Sequence, residues 1–281
     1  MLSRGARRRL SMGLLTVLGL KKRGFFIPYR YADGVEAPKR YPAFDRLFQR
    51  FEPDFITRLD DIQRRAPAIE AFLKADRGCR LDQAWFPRLD ALAAYSLIRH
   101  RKPARIVEIG SGHSTRFMAA AIKDGALETL LTCIDPAPRA SLSGLDVTWR
   151  KTVLQAAPKD DIEALGDGDL LFVDSSHLLM PGTDVDHLIT ELLPSLPSGA
   201  LLHLHDIFLP EGYPDAWAWR GYNEQSAIAA LLEGGGYRPL FASRYVATKM
   251  ADRLSKTPLL APSIVTKDRD DLASSLWLEK Q

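Results

Sequence analysis

With 281 residues, 46% of them hydrophobic, the chain can bury the core of one large α/β domain with extensions, or of two small domains. Its two cysteines argue against a disulfide framework and a thiolate zinc site, and they fit a reducing, cytoplasmic setting. The net charge of +3 is uneven: residues 1–40 hold ten Lys or Arg and two acids, which leaves 28 basic and 33 acidic residues elsewhere. We therefore expect no nucleic-acid partner spread over the fold.

Residues 1–40 are predicted as a basic N-terminal segment and linker. The apolar run from Leu10 to Leu20 has basic triplets on both sides, but it is shorter than the about 18 apolar residues that span a bilayer. As a helix it would either lie in an anionic membrane interface or pack against its own domain. The first alternative predicts peripheral contact through residues 1–25 at the inner face of a membrane. A secretory signal is disfavoured because no cleavage site is evident.

The pattern of apolar residues predicts two further parts of the chain. Residues 41–100 show helical spacing and predict a helical cap. Residues 101–250 change to short apolar runs that alternate with helical stretches, which is typical of βαβ units around a parallel sheet. The predicted strands are RIVEIG, LLTCIDP, VTWRKTVL, DLLFVDSS and GALLHLHDIF, followed by YRPLFAS and RYVATKM as a closing antiparallel pair. The predicted helices are Ser114–Lys123, Asp160–Leu165, Asp184–Leu193 and Glu224–Leu232.

The predicted fold class is therefore α/β, with a Rossmann-like, doubly wound, mostly parallel seven-stranded sheet and an N-terminal helical extension. Residues 251–281 show little pattern and are predicted as a C-terminal tail.

The first predicted strand ends in a tight glycine turn, IVEIGSGHSTRF. Gly110 and Gly112 let the backbone approach a ligand closely, and the amides of the following helix favour an electron-rich group. Glu108 precedes the turn, and Asp135 ends the next strand, where a Rossmann-like fold places its ribose-binding acid. Thr115 stands where a dinucleotide fingerprint has its third glycine, which favours a ligand without phosphates. The alternative is a plain strand-to-helix turn with Asp135 as a cap.

The segments IVEIGSGHSTR and CIDP resemble the first two motifs of the class I S-adenosylmethionine-dependent methyltransferases. The resemblance runs from Arg105 to Met250. It implies that the turn lies along the methionine part of the cofactor, that the acid of the second motif receives the ribose hydroxyls, and that adenine is contacted near Gln155 and Asp160 or Asp161. The predicted cofactor-binding residues are Glu108, Gly110, Ser111, Gly112, Ser114, Asp135 and Gln155.

Acids and imidazoles follow two later strands. Asp174 and His177 follow the strand DLLFV, and His205 and Asp206 end the strand ALLHL. Since the carboxyl ends of parallel strands share one edge, we expect these side chains to converge on one cleft. Two carboxylates with a third donor suit a divalent ion, and His205 would be that donor or, like its same-face neighbour His203, a packed core residue. His177 has an ordinary pKa near ~6.5 and is suited to accept a hydroxyl proton.

These positions resemble those of the metal-dependent small-molecule O-methyltransferases of the catechol and macrolide-sugar types. The resemblance implies a magnesium-like ion at Asp174, His205 and Asp206. It implies His177 and Asp174 as the catalytic residues, with His177 as the base. His205 departs from the pattern, because that group usually has an oxygen donor there. The alternatives are a softer metal, an ion held by the two aspartates alone, or no metal.

An aromatic segment follows the fifth strand. It carries Tyr213, Trp217, Trp219, Arg220 and Tyr222 within ten residues. Such a cluster suits a planar or sugar acceptor, and it would equally suit an interface of a homo-oligomer. Asn223, which follows, would cap the next helix or contact the substrate.

Taken together, the motifs predict a cytoplasmic methyltransferase that transfers a methyl group from S-adenosylmethionine to a hydroxyl of a small molecule or sugar. Two alternatives remain on the same fold. A nicotinamide-dependent reductase is disfavoured by Thr115 and by the lack of a Tyr-x-x-x-Lys pair. A non-catalytic, membrane-associated binding protein would use the basic segment to attach to lipid.

Overall fold

The computed structural model describes residues 4–75, 78–260 and 272–281. Within them, one seven-stranded sheet has the order β3-β2-β1-β4-β5-β7-β6. The strands are β1 (Arg105–Ile109), β2 (Leu130–Ile134), β3 (Thr148–Arg150), β4 (Leu170–Val173), β5 (Leu201–Leu204), β6 (Tyr237–Ala242) and β7 (Leu276–Lys280). Strands β1 to β5 pair in parallel, and β7 runs antiparallel to both β5 and β6. The predicted α/β fold with a mostly parallel seven-stranded sheet is confirmed.

Helices flank this sheet, and four of them precede it in the chain. These are α1 (Arg4–Val17), α2 (Pro42–Gln49), α3 (Glu52–Ala75) and α4 (Arg88–Arg101). The later helices are α5 (His113–Gly125), α6 (Asp160–Glu163), α7 (Asp184–His187), α8 (Leu193–Ser195), α9 (Glu224–Glu233), α10 (Ser243–Lys249) and α11 (Ala251–Ser255). A π-helical turn over Leu188–Leu192 joins α7 to α8, and 3-10 turns lie at Ala32–Gly34, Leu154–Ala156 and Asp215–Arg220. The predicted N-terminal helical extension is present.

The central strands are apolar on both faces because both faces are covered. All four residues of β4 and of β5 are buried, as expected for parallel strands between layers of helices. On one face, α4 packs closely against α5 and α3, and its buried alanines at 91, 93 and 94 allow this approach. The carboxyl ends of the strands are tied together in register: the Asp174 amide donates to the Ile109 carbonyl, and the His205 amide to the Val173 carbonyl. Side chains that follow these strands therefore meet at one edge.

The last two strands differ from the prediction. The run RYVATKM is not a strand, because it forms α10, whose buried Tyr245 and Val246 lie about one helical turn before the buried Met250. The seventh strand is instead β7, from the segment predicted as a tail. Its residues Leu276, Trp277 and Leu278 are buried between β5 and β6, so their apolar run shows no alternation. Residues 261–271 of that segment lie outside the described residues.

Helix α1 lies on the 3-10 turn Asp215–Arg220. Of the helices in the described ranges, none combines the length and the apolar character that crossing a membrane requires.

Candidate functional site

A cavity of about 420 Å³ lies at the carboxyl ends of β1, β2 and β4. Its walls are formed by Ile109, Gly110, Ser111, Ile134, Asp135, Pro136, Ala137, Arg139, Thr152, Val153, Leu154, Gln155, Asp174, Ser175, Ser176 and Asp184. Four residues predicted to bind the cofactor are among them, namely Gly110, Ser111, Asp135 and Gln155. The predicted residues Glu108, Gly112 and Ser114 do not line it. We call this cavity the nucleoside pocket.

The glycine turn forms one wall of the nucleoside pocket. Gly110 has a φ of +81°, and a Cβ atom built there would lie 1.8 Å from the carbonyl oxygen of Asp174. Only glycine allows the turns after β1 and β4 to approach this closely. The Asp135 carboxylate orders the same wall, because its two oxygens accept from the amides of Ser111 and Ala137, each at 2.6 Å.

Glu108 and Ser114 lie behind this wall. The carboxylate of Glu108 is fully buried and accepts from the hydroxyls of Ser114 at 2.6 Å and Thr115 at 2.5 Å, with the Cys133 sulfur at 3.4 Å. These bonds fix the start of α5 to β1. Burial raises the pKa of Glu108 to about 7, although the three donors oppose the shift. The contacts seen are structural, and contact of Glu108, Gly112 or Ser114 with a cofactor stays a prediction.

The raised pKa of Glu108 predicts a measurable pH dependence of stability. The stability that protonated Glu108 contributes is fully present below its unfolded pKa of 4.5 and is lost as the pH rises towards 7. This pKa shift corresponds to a change of roughly 3 kcal/mol in the free energy of unfolding. Urea unfolding of Glu108→Gln between these pH values should show a flatter dependence than the wild type. The exposed Glu128→Gln serves as the control, and an equal pH dependence in all three proteins would contradict the burial effect.

A buried acidic cluster adjoins the nucleoside pocket. Ligand atoms of Asp174, His177 and Asp206 all lie within 4.8 Å of one another. His177 Nε2 is 3.3 Å from an oxygen of each aspartate, and its Nδ1 is 2.9 Å from Glu224 Oε2. We call the group of Asp90, Asp174, His177, His205, Asp206 and Glu224 the acidic cluster. The predicted convergence of Asp174 and Asp206 on one edge is observed.

His205 occupies the other side of the acidic cluster. Its Nδ1 is 3.4 Å from Asp206 and 3.7 Å from Asp174, while its Nε2 is 3.2 Å from Asp90 Oδ2. Asp90 in α4 also accepts from the amides of Ser274 and Ser275, at 3.0 and 3.1 Å. His205 is thus held between the site and α4, and the closer grouping with both aspartates is made by His177.

The carboxylates determine the charge of both imidazoles. Burial lowers the pKa of His177, but Asp206, Asp174 and Glu224 outweigh it and raise the pKa well above its usual value. The same balance, with Asp174 and Asp206 as the main partners, raises the pKa of His205. Burial raises the pKa of Asp174, but the two histidines hold it well below its usual range. The surrounding carboxyl groups therefore favour the protonated form of both imidazoles.

His203 is the packed histidine of the HLHD motif. Its ring stacks on Phe172 at 3.7 Å between centroids, and its Nε2 is 2.8 Å from the Ser275 hydroxyl. Burial lowers its pKa well below the usual value, so the ring is neutral. It belongs to the core and not to the acidic cluster.

Two cluster residues have unusual backbones. His177 has a φ of +59° and Asp206 a φ of +56°, in the left-handed region that residues with a Cβ rarely adopt. Such strain persists where the surroundings fix it, and it concentrates at functional sites. In this chain it turns both side chains towards one point.

The acidic cluster has the composition of a divalent-ion site. Two carboxylates and one imidazole are a donor set for Mg²⁺, Mn²⁺ or Zn²⁺. The cluster has four carboxyl groups against two imidazoles, and the buried Glu224 Oε1 has no hydrogen-bond partner among the described residues. These residues fit a bound cation. Where the prediction named Asp174, His205 and Asp206, the geometry groups His177 with the two aspartates.

The aromatic segment covers the acidic cluster. The rings of Tyr222 and His177 lie 4.7 Å apart, and the guanidinium of Arg220 lies 4.0 Å from the centre of the Trp217 ring. Asn223 does not cap α9 with its side chain, and its amide instead bonds the backbone of Leu179. We call residues 208–223 the lid.

Sequence reasoning missed Asp90 and Glu224 as members of the cluster. Asp90 is an acid within the apolar stretch of α4, which is a signal for a buried polar partner. Glu224 begins α9, and an acid in the first turn of a helix is too common to point to a site.

Residues 107–207 match the family model described as "Methyltransferase domain". The matched segment contains the glycine turn, Asp135 and four of the six cluster residues. The match supports a methyltransferase. A comparison with curated proteins finds no match.

Several solved methyltransferase structures resemble the chain at a distance. PaMTH1 of Podospora anserina, bound to SAH, is 16% identical over 92% of this chain and 99% of its own, with a TM-score of 0.43. The plantazolicin methyltransferase BpumL, in complex with a monoazolic desmethylPZN analog and SAH, is 14% identical over 84% of this chain and 99% of its own, with a TM-score of 0.42. Likenesses this distant carry no argument about what this chain binds.

Proposed function

We propose that the chain is an S-adenosylmethionine-dependent methyltransferase that methylates a hydroxyl of a small molecule or sugar. One observation carries the proposal: Asp174 belongs both to the wall of the nucleoside pocket and to the acidic cluster. A sulfonium nucleoside in the pocket would therefore have its positive centre next to carboxylates. The methyltransferase-domain match over the same residues supports this assignment.

The pocket residues suit the parts of the cofactor in order. Asp135 would receive the ribose hydroxyls, because each of its oxygens keeps a free lone pair beside the amide it already accepts. Gly110 and Ser111, which line the pocket at the turn after β1, would lie along the methionine part. Gln155, which is exposed and bonds Gly182, would reach the adenine.

The transfer needs an acceptor oxygen that has lost its proton. That oxygen attacks the methyl carbon, the carbon–sulfur bond breaks, and its electrons remain on sulfur as a neutral thioether. The side chain of Asp174 is 28% exposed and that of His177 3%, so the acceptor would meet Asp174 first. Asp174 orients the hydroxyl. His177, which lies behind Asp174, releases its own imidazolium proton to solvent and then accepts the proton of the hydroxyl.

The same residues would hold a divalent ion, with Asp174, His177 and Asp206 as its nearest donors. When bound, such an ion would lower the pKa of the acceptor hydroxyl. His177 then serves as a donor to the ion rather than as the base. Chelation with EDTA distinguishes the two roles: activity that persists after dialysis against EDTA assigns His177 as the base, and activity restored only by Mg²⁺ or Mn²⁺ assigns the ion.

Isothermal titration calorimetry tests the cofactor. We expect the wild type to bind S-adenosylmethionine and its demethylated product. Asp135→Ala should weaken both by roughly tenfold or more, since it removes hydrogen bonds to a charged acceptor. Asp146→Ala, an exposed acid outside the nucleoside pocket, is the matched control. Absence of heat with either compound at high wild-type concentration would refute the proposed function.

A further inference from the structure

Helix α1 lies directly on the lid. The backbone of Gly5 approaches the ring of Trp219 so closely that a Cβ atom would lie 2.9 Å from it. The guanidinium of Arg8 lies 5.8 Å from the centre of the same ring. Arg220 connects Trp219 to Trp217 and Tyr222 by further cation–π contacts. The face of α1 that contacts Trp219 is therefore linked through the lid to the acidic cluster.

The outer face of α1 is apolar and exposed. Leu10 and Leu14 are each 52% exposed and Val17 is 61% exposed, and their spacing places them on one helical face. The exposed apolar surface continues beyond the helix in Leu18, Leu20, Phe26 and Ile27. No other part of the described chain covers it. Apolar surface of this kind marks an interaction site.

The charge of this segment is entirely positive. Residues 4–32 carry eight Lys or Arg and no Asp or Glu. Arg7, Arg8 and Arg9 are exposed on α1, and Lys21, Lys22 and Arg23 are exposed just after it. An exposed apolar face between two cationic groups is complementary to the acyl boundary and the anionic headgroups of a bilayer.

We propose that residues 5–31 form a docking surface for a bilayer that contains anionic lipid. Because α1 contacts the lid, docking places the lid beside the bilayer. If the proposed function holds, the acceptor is an amphiphilic hydroxyl compound that reaches the site from the lipid. Docking itself requires neither the cofactor nor catalysis.

Vesicle sedimentation of the full chain, without cofactor, tests the docking. Vesicles of phosphatidylcholine with phosphatidylglycerol should bind the protein, and added salt should weaken binding because it screens the headgroups. Vesicles of phosphatidylcholine alone should bind it much less. Equal binding to both, or binding to neither, overturns the proposal. Calorimetry with the cofactor is a separate measurement, so failure of one proposal is not failure of the other.

Matched variants locate the surface. Lys21→Gln with Lys22→Gln should weaken binding to the anionic vesicles about 25-fold, whereas Lys123→Gln with Lys159→Gln should leave it unchanged. Leu10→Ser with Leu14→Ser should weaken it roughly tenfold or more, and the control is Ile56→Ser with Leu130→Ser. All eight side chains are exposed, and thermal unfolding verifies that each variant is folded. Equal losses in docking and control variants overturn the assignment.

Tryptophan quenching tests the position of the lid. Brominated lipid in the anionic vesicles should quench the emission of the wild type, and Trp219→Phe should remove more of that quenching than Trp149→Phe. Trp149 lies in β3, at the edge of the sheet away from β5 and the lid. Quenching that is unchanged in Trp219→Phe would show that the lid does not lie at the bilayer.

Discussion

Replacement of His177 by asparagine should lower turnover by a factor of about 100 to 10,000, because the group that accepts the hydroxyl proton is lost. Affinity for S-adenosylmethionine should stay close to that of the wild type, since His177 does not line the nucleoside pocket. Asparagine is the chosen substitute because it tolerates the positive φ of this position better than alanine. Steady-state kinetics and calorimetry measure the two quantities separately.

The exposed His100→Asn is the control for this variant, and circular dichroism verifies that both proteins are folded. Wild-type turnover should rise with pH above neutrality, because the carboxylates raise the pKa of His177 and only the neutral imidazole accepts a proton. Unchanged turnover in His177→Asn would exclude the role of base.

Replacement of Gly110 by alanine should destabilise the protein by about 3 kcal/mol or more, because left-handed strain and a backbone clash add together. The new Cβ would lie 1.8 Å from the carbonyl oxygen of Asp174, so the turns after β1 and β4 must separate. That movement widens the nucleoside pocket, and cofactor affinity should fall with stability. Urea unfolding and calorimetry measure the two effects.

Gly144→Ala is a close control, because Gly144 has a φ of +80° with no atom within 4 Å of a built Cβ. Gly144→Ala should lower the free energy of unfolding by about 1 kcal/mol, because it adds backbone strain without a clash. Equal destabilisation by the two substitutions would show that the close approach of the two turns contributes nothing.

The sequence was most informative where the signal is local. A strand followed by a glycine turn and a helix places Gly110, Ser111 and Asp135 around one cavity through backbone geometry alone. The shared edge of parallel strands likewise brings Asp174 and Asp206 together without knowledge of the rest of the fold.

Contacts between residues on elements that are distant in the chain could not be predicted in this way. His205 and Asp90 are 115 residues apart in the chain, and their contact depends on how α4 packs on the sheet. Glu108 shows what the motif alone does not reveal. The motif predicts it near a ligand, and in the structure its carboxylate accepts from the hydroxyls of Ser114 and Thr115 behind the pocket wall, so its contact with a cofactor stays a prediction. The left-handed backbone at His177 likewise determines which histidine lies nearest to both aspartates. The sequence does not reveal that backbone conformation.

The position of β7 in the sheet has a consequence for synthesis on the ribosome. Within the described residues β6 pairs with no strand other than β7, which emerges more than thirty residues later. During that interval β6 and the outer side of β5 both present unpaired backbone groups, the kind of edge that recruits other chains. A chain that ends before Leu276 should therefore aggregate more readily than the chain with β7, because β6 and the outer side of β5 stay unpaired in it.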